Sequence, residues 1–140
     1  MSLNALIVDD EFHARSNLEM LLENYCDDIT IVGSASSPSE ARILLGQHKV
    51  DVIFLDIKMP GEDGFQFLSS IENKDFAVVF ITAYNEYALD AFKADAIDYL
   101  EKPIDIDELI DAVEKIRKIK NSEKPLAMNE DLIELIKSVV

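Results

Sequence analysis

Chemistry-bearing side chains stand at the ends of successive apolar runs in this chain. Asn4-Ala5-Leu6-Ile7-Val8 finishes in Asp9-Asp10-Glu11, and Val52-Ile53-Phe54-Leu55 finishes in Asp56. Residues 77–81 finish in Thr82-Ala83, and Asp98-Tyr99-Leu100 leads to Glu101-Lys102-Pro103. Several carboxylates brought within a few ångströms repel one another unless protons or a cation compensate. A hard divalent cation does this at neutral pH. Magnesium fits, because it takes one or two carboxylates and leaves positions for phosphate oxygens. With Lys102 as a second positive charge and Thr82 as a hydroxyl donor, a phosphoryl group could sit on Asp56. Such positioning and charge neutralisation are what phosphoryl transfer asks of a protein.

The convergence depends on the elements that carry these residues. Four consecutive apolar residues before Asp56, rich in β-formers, predict a strand buried on both faces. Pro60-Gly61 then bars both strand and helix. Apolar runs alternate with amphipathic segments throughout. A helix is predicted over residues 12–25, a strand over 29–35, and a second helix begins after Ser37. There Ser37 reads as N-cap, Pro38 as first helical residue and Glu40 as the partner in a capping box. A third helix starts at Gly64, a weakly apolar fourth covers residues 86–94, and Asp105 caps a fifth. Strands joined by helices require right-handed crossovers and a parallel sheet covered on both faces. The expected fold is α/β, a flavodoxin-like doubly wound five-stranded parallel sheet of order 2-1-3-4-5. That order sets the first and third strands side by side, and with them Asp9, Asp10 and Asp56.

The 140 residues suffice for one domain with a full core. The net charge of −15 argues against nucleic acid binding on this surface, since phosphates would be repelled. No apolar run approaches the roughly 20 residues that cross a bilayer, and no signal peptide is visible; a cytoplasmic location is expected. Cys26, the single cysteine, excludes an internal disulfide and reads as a half-buried, inert thiol. The composition changes near Lys118. Residues 3–120 are therefore expected to form the domain and 121–128 a linker. Residues 129–140 are expected to form a short amphipathic helix leading toward an absent output domain.

Asp9-Asp10, Asp56 followed by Pro60-Gly61 and Gly64, Thr82-Ala83, and Tyr99 with Lys102-Pro103 together resemble the receiver domain of bacterial two-component response regulators. By that resemblance Asp56 is the phosphoacceptor. Asp10 is a direct Mg2+ ligand, Asp9 acts largely through bound water, and the Lys58 backbone carbonyl is a further ligand. Thr82 and Lys102 hold phosphoryl oxygens, small Ala83 leaves room for the group, and the Lys102–Pro103 peptide is cis. The resemblance also implies a switch in which phosphorylation draws Thr82 inward and Tyr99 follows. The face made by the fourth helix, fifth strand and fifth helix then changes, and a homodimer through that face is a possibility. Alone, Tyr99 would read as a half-buried aromatic on an edge strand. Lys58 and Tyr84 occupy positions that modulate access of water to the phosphoaspartate, and the bulk of Tyr84 suggests slow hydrolysis.

The stretch from Thr82 to Phe92, with Ala96 to Ile104, is similar to receivers attached to LytTR-type (LytR/AlgR-like) DNA-binding domains. The implied function is a phosphorylation-activated switch fed by a sensor histidine kinase. Its output is transcription regulation, with DNA reached only through the missing domain and no membrane involved. The alternative within the fold is a stand-alone phosphorelay or adaptor receiver. Beyond its own phosphoryl transfer and autodephosphorylation, no enzyme activity is expected. A phosphohydrolase of the haloacid dehalogenase type would need an aspartate where Lys58 stands. A flavodoxin-like flavin binder would need a Gly/Ser/Thr-rich phosphate loop where Asp9-Asp10-Glu11 stands.

Overall fold

A computed structural model describes residues 2–87, 90–91 and 94–122. Strand β1 (Leu3–Val8) leads to helix α1 (Phe12–Tyr25), β2 (Ile29–Ala35) to α2 (Pro38–Gln47), and β3 (Val52–Leu55) to α3 (Gly64–Ser69). Then come β4 (Ala77–Thr82), a 3₁₀ turn (Asn85–Tyr87), β5 (Asp98–Glu101) and α4 (Ile106–Ser122). All pairings are parallel and the order is β2-β1-β3-β4-β5, the doubly wound arrangement of flavodoxin-like folds.

Period-two alternation along the central strands builds two cores. Ala5, Ile7, Val52, Phe54, Val79 and Ile81 face one side and meet α1 and α4 through Leu18, Leu22, Leu109 and Ile116. Leu6, Val8, Ile53, Leu55, Val78 and Phe80 face the other and meet α2 and α3 through Ala41, Phe67 and Leu68. Every residue of β3 and β4 is buried. A fully buried side chain such as Phe54 or Phe80 contributes about 2–3 kcal/mol.

The local signals act largely as read, with informative departures. The Ser37 hydroxyl accepts from the Glu40 amide at 3.2 Å. The Glu40 carboxylate, however, reaches the amide and hydroxyl of Ser36, one residue before the cap. A complete capping box stands instead at Asp63 and Gln66, opening α3. Strands β4 and β5 each run one residue further than their apolar pattern, because Thr82 pairs with Glu101. The stretch expected as a fourth helix opens with the 3₁₀ turn and is helical at residues 90 and 91; residues 88, 89, 92 and 93 lie outside the described residues. Helix α4 starts under an Asp105 cap and reaches Ser122, two residues into the expected linker. Lys120 ties its end to Asp51 and to the Asp75 carbonyl at the amino edge of the sheet. The rest of the expected linker and the short helix over 129–140 lie outside the described residues.

Candidate acidic phosphoryl site

Parallel register is what gathers the site. Val8 is the partner of Leu55, so the residues that follow them, Asp9 and Asp56, are neighbours at the carboxyl edge. The Asp56 amide donates to the Val8 carbonyl at 3.0 Å, and the Asp9 amide to the Ala35 carbonyl at 3.1 Å. On the other side Thr82 pairs with Glu101, and the Lys102 amide donates to the Thr82 carbonyl at 2.8 Å. Lys102 is thereby delivered to the acids. Its Nζ lies 2.7 Å from Asp9 Oδ2 and 3.3 Å from Asp56 Oδ2.

Both aspartates are 6% exposed and Thr82 is fully buried. The Ile57 amide donates to Asp56 Oδ1 at 2.8 Å, and the Glu11 amide to Asp9 Oδ1 at 2.9 Å. Burial pushes the Asp56 carboxyl above its ordinary value of 3.8. The Lys102 ammonium opposes that shift, the Asp9 charge adds to it, and the Thr82 hydroxyl and Ile57 amide oppose it. Crowding by a second acid is thus real but smaller than desolvation. Burial alone would lower Lys102, but its contacts with Asp9 and Asp56 outweigh this and leave its pKa raised.

The carboxylates of Asp9, Asp10 and Glu11 come within 4.8 Å of one another, with Asp9 buried and the other two nearer solvent. Asp56 joins this group through Lys102. Glu11 was not singled out as a ligand from sequence, although the adjacent acids were its signal. Among the described residues neither Asp10 nor Glu11 forms an ion pair, so one ammonium faces four carboxylates. An all-oxygen donor set with uncompensated negative charge fits a hard divalent cation. Arg15 contributes from α1 by donating to the Asp9 carbonyl at 2.7 Å, a contact with no sequence signal. A cavity of about 240 Å³ opens beside the acids, between α1 and the loop after β5, lined by His13, Asn17, Pro103 and Ile104 among others.

The Lys102–Pro103 peptide is cis. Ala83 is exposed beside the site, and Tyr84 is 39% exposed. The Tyr84 amide donates weakly to the Thr82 hydroxyl at 3.4 Å. The Lys58 ammonium stands 4.5 Å above the Tyr84 ring and 5.9 Å from the Tyr87 centroid, and the two rings meet edge to face at 6.5 Å. Tyr99 lies apart from the acids, packed against the core that contains Phe80. Its hydroxyl is buried with no hydrogen-bond partner among the described residues. The Tyr87 backbone is close enough to bias its titration but not in bonding geometry. Burial pushes the phenol up to about 12. His13 and His48 are exposed, and Cys26 is a half-buried free thiol whose pKa burial raises.

The sequence model of the family described as "Response regulator receiver domain" matches residues 5–114. The chain is 40% identical over 124 residues to the sensory transduction protein LytT of Bacillus anthracis, covering 86% of this chain and 50% of that one. It is 40% identical over 115 residues to the positive alginate biosynthesis regulatory protein of Pseudomonas aeruginosa, covering 81% and 46%. It thus spans about half the length of these relatives. The response regulatory domain of mrkE from Klebsiella pneumoniae superposes with a TM-score of 0.77 at 34% identity, covering 86% of this chain and 99% of that one.

Proposed function

The chain belongs to the response regulator receiver domain family, and from that premise we propose that it is a phosphorylation-driven switch. Asp56 accepts the phosphoryl group from a sensor histidine kinase in the cytoplasm. The observation that carries the reading is the Lys102 ammonium poised between the buried carboxylates of Asp9 and Asp56 at the carboxyl edge of the sheet.

The chemistry follows from the side chains. An Asp56 oxygen forms a bond to phosphorus as the phosphorus–nitrogen bond of a phosphohistidine breaks, and the departing imidazole nitrogen keeps the electron pair. Raised by burial, the Asp56 carboxyl titrates above the ordinary range but loses its proton to become the nucleophile. Lys102 stays charged, because its pKa is raised, and supplies donors to the incoming oxygens. Thr82, buried at the end of β4, offers a hydroxyl on the same edge. Mg2+, held by Asp9, Asp10, Asp56 and the Lys58 carbonyl, would neutralise charge on the transferred group. Four separate strand ends thus position and neutralise, and little else is asked of the protein.

The new charge then biases a two-state element. Thr82 is the link, since its carbonyl already holds the Lys102 amide just past the carboxyl end of β5. Tyr99, whose hydroxyl has no hydrogen-bond partner among the described residues, is the movable member of β5. We assign the response to the surface around residues 85–101 and α4, which serves as a homodimer interface on phosphorylation. The output is transcription regulation of the LytTR type, through a DNA-binding domain beyond this chain. No catalysis beyond phosphoryl transfer to Asp56 and its hydrolysis is assigned.

The test is intact mass after treatment with acetyl phosphate and Mg2+. Wild type is expected to gain one phosphoryl group and Asp56→Asn none. Equal labelling of the two proteins removes the assignment.

A further inference from the structure

The loop that carries Lys58 runs from Ile57 to Asp63 and holds the backbone carbonyl expected to complete the cation site. Its inner end is fixed: Ile57 and Met59 are buried, and the Gly64 amide donates to the Ile57 carbonyl at 2.7 Å. Its outer end, around Glu62, is held from a separate helix. Arg42 reaches across from α2, pairs with the Glu62 carboxylate, and donates to the Ser70 hydroxyl from Nε at 3.2 Å and from Nη2 at 2.7 Å. The guanidinium carbon also lies 5.4 Å from the Phe67 ring centroid. Ser70 in turn donates to the Phe67 carbonyl at 2.6 Å. One planar fork therefore clamps the end of the acceptor loop to the end of α3, a geometry that a lysine point charge does not reproduce.

We infer that Arg42 is a positioning residue for the acceptor site: through Glu62 and Ser70 it fixes the loop after Asp56, and with it the Lys58 carbonyl. The inference rests on the reading of Asp56 as acceptor with Mg2+ beside it. The Arg42–Glu62 pair is about one-third exposed on each side, so it adds little to global stability and its role is local. Electrostatics sharpen the case. Removing a positive charge from so acidic a protein would by Coulomb attraction tighten cation binding, so weaker binding in Arg42→Ala has to come from misplaced ligands.

The experiment measures amide hydrogen exchange and Mg2+ affinity by calorimetry in wild type, Arg42→Ala, Arg42→Lys, Glu62→Ala and Arg42→Ala/Glu62→Ala. In Arg42→Ala the Gly64 amide is expected to exchange about tenfold faster while the Asp56 amide, bonded to Val8, keeps its wild-type rate. The Mg2+ dissociation constant is expected to rise about threefold to tenfold. Arg42→Lys should recover only part of either effect. In the Glu62→Ala background the Arg42→Ala change should do less, since the two act as one unit. An unchanged Gly64 amide, equal acceleration at Gly64 and Asp56, or full additivity overturns the inference. A wild-type protein that takes no Mg2+ would defeat the cation reading instead, leaving the exchange data to decide the role of Arg42.

Discussion

Gly64 approaches the backbone of Asp56 so closely that a Cβ there would lie 2.5 Å from the Asp56 carbonyl oxygen and 3.3 Å from the Ile57 Cα. The obstacle is backbone, so it cannot swing aside as a side-chain tip would. Gly64→Ala is therefore expected to destabilise by about 1–3 kcal/mol through overpacking. It should also slow labelling by acetyl phosphate, because the displaced atoms belong to the proposed acceptor. Urea denaturation read beside initial labelling rates checks both effects; a fully stable, fully reactive variant contradicts the geometry.

Lys102 serves two buried acids with one ammonium. Lys102→Met leaves Asp9 and Asp56 uncompensated, with an expected loss of about 1.5–3 kcal/mol at neutral pH. The raised lysine pKa implies that this contribution is complete below its ordinary value of 10.5 and fades as pH rises through the raised one. Toward acid the difference between the two proteins should shrink, as Asp56 takes up its own proton. Paired urea titrations across pH provide the comparison.

Asp56 itself is ionised at a cost when no cation is present. Its folded pKa lies above the unfolded one, so the stability it contributes is full below the ordinary carboxylate value. That contribution is lost as pH rises through the raised value. Asp56→Asn, which never ionises, is expected to be more stable than wild type at pH 7 without metal, with the gap closing under acid. A gap that widens toward acid reverses the sign and refutes the argument.

Mg2+ should stabilise the wild-type fold at neutral pH by linkage, by about 2.7 kcal/mol at a hundred times the dissociation constant. In Asp10→Asn the same additions should do less. Thermal melts with and without the cation measure this, and coincident wild-type curves would count against a metal site here.

The Lys58 ammonium, two residues after Asp56, rests on the face of the Tyr84 ring, two residues after Thr82. At a half-exposed position that contact is worth about 0.5–1 kcal/mol, too little to threaten the fold. Tyr84→Ala is expected to shorten the phosphoryl lifetime by admitting water. Radiolabel decay at fixed Mg2+ decides it, and an equal or longer lifetime in the variant dismisses the shield.

Much of this was legible because the strands under the site are buried on both faces and read as unbroken apolar runs. Asp9, Asp56 and Thr82 each follow such a run, Lys102 follows the short edge strand β5, and strand order brings them together. What sequence could not show was set by pairing or by side-chain reach. Thr82 and Glu101 are polar, and only their partnership in the ladder makes them strand. Glu40 is spaced for a box at Ser37 yet turns to Ser36. Arg42, 20 residues from Glu62 and 28 from Ser70, meets both from a separate helix, a contact that no local periodicity reveals. Tyr99 is half-buried on an edge strand, as its position reads, but the burial of its hydroxyl is visible only once its neighbours are in place.

The ammonium that Asp9 and Asp56 share comes from 93 and 46 residues further along the chain. No excised hairpin or early folding fragment contains this constellation, and a nascent chain lacks it until its fifth strand has docked. On the proposed reading, competence to take up a phosphoryl group therefore requires all the strands that lead to Asp9, Asp56 and Lys102 to be docked.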